Sequence, residues 1–117
     1  MLDPDYTLGV SPNDLTYVKL YPDANKALFS VPGLTVNTAK LLTVSHQYDK
    51  KFTSHLISSD DSVVNPTIEG EVSQSRVYLV IRRPNFVEAA DVQLQITRIK
   101  TLVDDTAFLA QVLNGES

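Results

Sequence analysis

Ser75-Arg76-Val77-Tyr78-Leu79-Val80-Ile81-Arg82-Arg83-Pro84 is the clearest strand in the chain. Its centre is an unbroken run of β-branched, aromatic and aliphatic residues. Pro84 closes it, because proline cannot donate to a ladder. Side chains alternate along a strand, so Val77, Leu79 and Ile81 share one face. Arg76, Tyr78, Val80 and Arg82 share the other. The first is a core face. The second sets two guanidinium groups around an aromatic ring, which suits a polyanion with stackable bases. The same pattern also fits a plain solvated sheet face, so the neighbouring segments must decide.

Upstream, Thr38 to Gln47 and Lys50 to Ser59 read as the two arms of a hairpin. Placing Leu42 and Val44 on one face with Phe52 and Leu56 pairs Val44 with Phe52 and Leu42 with Ser54. That register needs an odd loop, Gln47-Tyr48-Asp49, with Asp49 in the left-handed conformation. The opposite face then carries Leu41, Thr43, Ser45, Lys51, Thr53, His55 and Ile57. Together with Arg76, Tyr78 and Arg82 it forms a polar, basic surface across adjacent strands. His46 and His55 point to opposite faces in this register. Asp60 to Ser73 reads as a long connection containing Asn65-Pro66 and Gly70, with Asp60-Asp61 at a strand end.

Downstream of Pro84 the apolar period changes from 2 to 3.6. Asn85-Phe86-Val87-Glu88 has the spacing of a capping box. Ala89, Val92, Ile96, Ile99 and Val103 follow at steps of 3, 4, 3 and 4, one stripe of a helix. Asp104 or Asp105 caps a second helix with Phe108, Leu109, Val112 and Leu113, and Asn114-Gly115 is a stop signal. At the other end, Tyr6 to Val10, Leu15 to Tyr21 and Lys26 to Val31 read as short strands, a hairpin followed by an edge strand. Turns fall at Ser11-Pro12-Asn13-Asp14 and Pro22-Asp23-Ala24-Asn25. Strands at about 6–83 followed by helices at about 86–114 make an α+β single domain.

The 117 residues suit one domain, and 43% apolar content excludes a disordered chain. No cysteine is present, so disulfides and thiolate chemistry are excluded. The start, Met1-Leu2-Asp3-Pro4-Asp5, does not read as a signal peptide, and no apolar run approaches a membrane span. Net charge is −4, but its distribution is uneven. Lys40, Lys50 and Lys51 face only Asp49 between positions 40 and 57, and Arg76, Arg82 and Arg83 face no acid between 72 and 84. The sheet is locally basic within a mildly acidic protein.

Catalytic and metal-binding patterns are weak. His46, His55 and Asp49 match no metal signature, no nucleophile elbow surrounds a serine, and four glycines supply no phosphate loop. The expectation is no catalysis, no metal and no cofactor. The basic sheet face is the constellation with functional content. Its cations neutralise phosphates, its hydroxyls donate to phosphates or bases, and Tyr78 offers a stacking ring.

The order of these pieces resembles the coat proteins of single-stranded RNA bacteriophages, the levivirus-type family. The resemblance rests on Val44-Ser45-His46-Gln47-Tyr48, the basic segment Lys50-Lys51-Phe52-Thr53-Ser54-His55-Leu56, and the Asn65-Pro66 loop. It continues through Val77-Tyr78-Leu79-Val80-Ile81-Arg82-Arg83-Pro84 and the tail Val112-Leu113-Asn114-Gly115-Glu116-Ser117, and so covers nearly the whole chain. It implies an N-terminal β-hairpin, a five-stranded antiparallel sheet and two C-terminal helices that interlock with a second copy, so that two sheets join. It implies a homodimer assembling into an icosahedral shell around single-stranded RNA, made in the bacterial host cytoplasm and found in the virion, with a genomic RNA hairpin bound as a translational repressor. It implies RNA-facing positions at Arg76, Tyr78 and Val80 and at Thr53 and His55, with Lys51 near; with Thr43 and Ser45 from the hairpin register and Arg82 from the strand face, the expected RNA-binding residues are Thr43, Ser45, Lys51, Thr53, His55, Arg76, Tyr78 and Arg82. Its implied dimer-interface residues are Val92, Ile96, Ile99, Val103, Phe108, Leu109 and Val112. A dimeric regulator that binds an RNA hairpin and never forms shells is the other reading. A small enzyme using His46 or His55 is a third, favoured by nothing in the sequence.

Overall fold

The structure, a computed structural model, describes residues 2–22 and 25–116. The strands are β1 (Asp5–Leu8), β2 (Leu15–Pro22), β3 (Lys26–Ser30), β4 (Lys40–Tyr48), β5 (Phe52–Val64) and β6 (Val72–Pro84). A single 3₁₀ turn at Val36–Thr38 precedes β4. The helices α1 (Ala89–Asp104) and α2 (Thr106–Leu113) follow. The six strands form one antiparallel sheet in chain order, so each pairs with its sequence neighbour. The α+β class is as expected from the sequence. The N-terminal hairpin, however, is continuous with the sheet, which has six strands rather than a hairpin plus five. The chain divides into two compact units, the sheet up to Arg82 and the helical segment from Arg83 onward.

The core lies on one face of the sheet. Tyr17, Ala27, Phe29 and Leu42 are buried, and Tyr6, Leu15, Val31 and Val44 pack around them. Phe29 is fully enclosed. The Tyr6 ring meets it edge-on at 5.5 Å, and Lys19 Nζ stands 5.7 Å from its centroid. The pairing puts these residues together: Tyr6 opposes Tyr17, Lys19 opposes Phe29, and Phe29 opposes Leu42. β3 is therefore a central strand, not the edge strand expected from its shortness. Its alternating Ala27 and Phe29 supply the most buried positions because a strand lies on each side.

Between β1 and β2 the chain turns at Gly9, whose φ is +100°. A Cβ there would sit 3.1 Å from the Asn13 carbonyl oxygen, so glycine is required on two counts. The link between β5 and β6 is only residues 65–71, not the expected Asp60–Ser73 connection. Asn65 explains the brevity. Its Oδ1 accepts from the Thr67 N–H (2.9 Å) and hydroxyl (2.8 Å), and its backbone N–H donates to the Glu71 carbonyl (2.9 Å).

In the helical unit, α1 begins at Ala89 with Glu88 at its N-cap and no side-chain cap bond. The capping box expected at Asn85 would start the helix three residues earlier; residues 85–88 instead form a turn, with the Val87 N–H donating to the Pro84 carbonyl (3.0 Å). Asp105 does cap α2, its carboxylate accepting from the N–H groups of Ala107 (3.1 Å) and Phe108 (3.2 Å). Gly115 takes φ +79° just past the C-cap Asn114.

Candidate nucleic-acid interface

The hairpin of β4 and β5 fixes which side chains share a face. Tyr48 opposes Thr53, His46 opposes His55, Val44 opposes Ile57 and Leu42 opposes Ser59. The Asp49 N–H donates to the Phe52 carbonyl (2.9 Å), so the chain reverses around Lys50-Lys51. This two-residue reversal replaces the odd loop expected at Gln47-Tyr48-Asp49. No non-glycine residue among those described has positive φ, so Asp49 is not left-handed. Replacing an odd loop by an even one shifts the pairing by an odd number of residues and moves one arm's side chains to the other face.

Two distinct faces result. The core face of β4 and β5 carries Lys40, Leu42, Val44, His46 and Tyr48 opposite Asp61, Ser59, Ile57, His55 and Thr53. The far face carries Leu41, Thr43, Ser45 and Gln47 opposite Asp60, Ser58, Leu56 and Ser54. From β3, Lys26, Leu28 and Ser30 join this far face opposite Ser45, Thr43 and Leu41.

β6 extends the far face. Arg76 Nε donates to Asp60 Oδ1 at 2.7 Å, and the same oxygen accepts from the Ser58 hydroxyl at 3.0 Å. The Arg82 guanidinium carbon lies 4.4 Å from the centroid of the Phe52 ring. Arg76 and Arg82 thus share a side with Phe52 and Asp60, and by alternation Tyr78 and Val80 stand between them. Tyr78 is 60% exposed. A shallow, open depression next to it is lined by Ser45, Gln47, Ser54, Leu56 and Val80, with parts of His46 and His55. Such a face can contact a phosphate chain through Lys26 and the arginines, and bases through Tyr78 and the hydroxyls of Thr43, Ser45 and Ser54.

The eight residues expected from the sequence to contact RNA therefore do not fall on one surface. Thr43, Ser45, Arg76, Tyr78 and Arg82 come together. Thr53 and His55 lie on the core face, where Thr53 is buried. Lys51 is exposed at the hairpin tip, at the border of both. His46 and His55, read as pointing apart, are cross-strand neighbours with Nδ1 atoms 2.8 Å from each other. Phe52 and Asp60 are members of the far face that the sequence reading missed. The sequence pattern places Phe52 in the core with Val44, and Asp60 at a strand end. The strict alternation Phe52-Ser54-Leu56-Ser58-Asp60 was the available signal.

Other surfaces carry exposed apolar side chains. On the core side of β6, Val77 is 73% exposed and Leu79 37%. In the helical unit no residue of α1 or α2 is buried. Along the stripe of α1, Val92 and Ile96 are half-buried while Ile99 and Val103 are half-exposed, and Phe108, Leu109 and Val112 of α2 are also exposed. Among the described residues, no helix is long and apolar enough to cross a membrane, and no group of three or more metal-ligating side chains forms.

No protein-family model and no curated protein sequence matches the chain. Solved structures do. The virus-like particle of bacteriophage AVE019 superposes with a TM-score of 0.80 at 9% identity, over 98% of this chain and 97% of that one. The virus-like particle of Beihai levi-like virus 21 gives 0.77 at 12% identity, over 97% and 94%. An unassembled bacteriophage coat protein dimer that binds RNA gives 0.70 at 12% identity, over 97% and 94%. The chain has the fold of levivirus-type phage coat proteins along nearly its whole length.

Proposed function

We propose that this protein is a non-catalytic capsid subunit that dimerises and assembles into an icosahedral shell around single-stranded RNA. The observation that carries the reading is the near-complete match of fold to proteins solved as virus-like particles, end to end on both sides. Fold alone does not fix function, so surface properties must agree, and two do. A long strand, β6, stands at the end of the sheet with an exposed apolar side. Such an edge is normally blunted in a monomer, and a second copy pairing along it removes the liability. The helices also expose apolar side chains, Leu94, Ile99, Phe108, Leu109 and Val112 among them. Interlocking with a partner's helices and sheet gives that area somewhere to go. The dimer-interface residues of this reading are Val92, Ile96, Ile99, Val103, Phe108, Leu109 and Val112, and the whole chain acts as one coat-protein domain.

The RNA side of this reading is the far face. Thr43, Ser45, Arg76, Tyr78 and Arg82 form its centre, with Lys26, Phe52 and Ser54 added by the register. Recognition of a genomic hairpin, with repression of translation, would use the same face in the unassembled dimer. Assembly takes place in the host cytoplasm, and the product is the virion.

The alternative is a dimeric regulator that binds hairpin RNA without forming shells. Expression of the chain alone in bacteria separates the two, with sedimentation and nuclease treatment of the product. Large uniform particles with protected RNA support the coat subunit. A discrete dimer at all protein and salt concentrations, with no protected RNA, supports the regulator.

A further inference from the structure

The most unusual side-chain contact in the molecule lies on the core face, away from the proposed RNA surface. His46 on β4 and His55 on β5 are paired residues of adjacent antiparallel strands. Their Nδ1 atoms are 2.8 Å apart, the length of a hydrogen bond, and the rings meet edge-on at 78° with centroids 5.0 Å apart. One Nδ1 carries the proton and donates it, while the other must keep its lone pair to accept. Both residues are half-buried.

We propose that this pair is an acid-sensitive clasp: it holds the β4–β5 hairpin closed while at least one imidazole is neutral and loosens it once both are protonated. Proton counting carries the inference. A neutral pair makes the bond. A pair with one extra proton also makes it, because that proton sits on the donor's Nε2 and the bond becomes charge-assisted. A pair with two extra protons has no acceptor left, and two like charges meet across a hydrogen-bond distance. The closed hairpin therefore takes up at most one extra proton here. The unfolded chain takes up two, each near the ordinary histidine value of about 6.5. Below that pH the unfolded state binds more protons than the closed one, so stability falls as pH falls.

The surroundings supply no counter-charge for a second positive ring. The flanking pairs on this face are Val44 with Ile57 and Tyr48 with Thr53, and the Tyr48 ring centroid is 6.3 Å from that of His46. From the β3 side, the Asn25 carbonyl accepts the His46 backbone N–H (2.8 Å), and Ala27 and Phe29 follow on the core face. The core side of β6 carries Val77, Leu79 and Ile81. The next residue of that parity is a cation, Arg83, whose Nη1 donates to the Val87 carbonyl (3.0 Å). The 3₁₀ turn at Val36–Thr38, which packs on β5, has no titratable side chain. The carboxylate on this face of the hairpin is Asp61. It stands about 20 Å along β5 from His55, at roughly 3.3 Å per residue, and is already bonded to Lys40 at 3.0 Å.

The test is amide hydrogen exchange, read by mass spectrometry on the purified full-length protein from about pH 7.5 to about pH 5, with rates corrected for the intrinsic pH dependence of exchange. Segments 44–48 and 53–57 should lose about tenfold in protection over this range, the linkage effect of one proton across one pH unit below the histidine value. β3, which holds Phe29, should keep its protection. His46→Gln and His55→Gln each leave a polar side chain and a single titrating ring, so each should flatten the pH dependence of the hairpin. Wild-type protection that stays constant, or that falls equally across the sheet, would overturn the proposal, a reading that needs no variant to fold. So would a glutamine variant whose hairpin keeps the wild-type pH dependence.

Discussion

Arg82 is held over the ring of Phe52, its guanidinium carbon 4.4 Å from the ring centroid. Arg82 itself is exposed. In the proposed RNA-binding role, this cation–π contact holds in place a guanidinium that can meet a phosphate or a base. Phe52→Ala should therefore weaken binding of single-stranded or hairpin RNA although no charge changes. The expected loss is about 0.5–1 kcal/mol, the usual worth of an exposed cation–π contact. Fluorescence anisotropy at fixed salt measures it. Wild-type affinity in Phe52→Ala would remove the contact from the interface.

Asp60 holds the other arginine of this face. Its Oδ1 takes both the Arg76 Nε–H and the Ser58 hydroxyl. The carboxylate is the more enclosed partner, with 13% of its side chain exposed against 55% for Arg76. Any phosphate that engages Arg76 competes with it. Asp60→Asn should release the guanidinium and tighten RNA binding. It should also steepen the salt dependence by about 0.7–0.9 in the log–log slope, the signature of one added phosphate contact. An unchanged slope would mean that Arg76 meets no phosphate.

The sheet stands on Phe29. It is the fully buried side chain at the centre of β1–β4, touched by Tyr6 and Lys19. Phe29→Ala should destabilise the protein by about 3–5 kcal/mol through lost burial and the cavity left behind. Urea denaturation followed by circular dichroism reads this as a lower midpoint. A midpoint within error of wild type would show that the core face draws its stability from elsewhere.

The helix stripe makes a separate demand. Ile96 is half-buried, in line with Val92, Ile99 and Val103. If a partner covers this stripe, Ile96→Asp places an unpaired charge in a dry interface, at a cost large enough to prevent association. Analytical ultracentrifugation should find no folded dimer. Normal dimers, or a well-folded soluble monomer, would contradict the interlocked arrangement.

Much of this architecture was legible in the residues. Pro84 marks the end of β6, Val92-Ile96-Ile99-Val103 mark α1, and Asp105 and Gly115 bracket α2 because each has a local cause that no distant contact overrides. The face assignment of the hairpin was not legible. It depends on whether the chain reverses around three residues or around Lys50-Lys51, and neither choice carries a glycine or proline to announce it. That one step decides whether Phe52 or Thr53 joins the core, and it divided the expected RNA-contacting set between two faces. The long strand β5 was hidden for a different reason. Asp60 and Asp61 read as a strand end, yet each finds a cation, Arg76 on one face and Lys40 on the other. Such partners belong to other strands and are invisible from local pattern.

The central claim is that two copies join at β6 and turn the face of Arg76, Tyr78 and Arg82 toward enclosed RNA. Electron cryomicroscopy of particles from cells expressing the chain alone tests it most directly. The account expects icosahedral shells built of dimers, with β6 strands paired across the two-fold and RNA density against that face. Shells with the face turned outward, or an absence of particles together with a stable dimer, would contradict it.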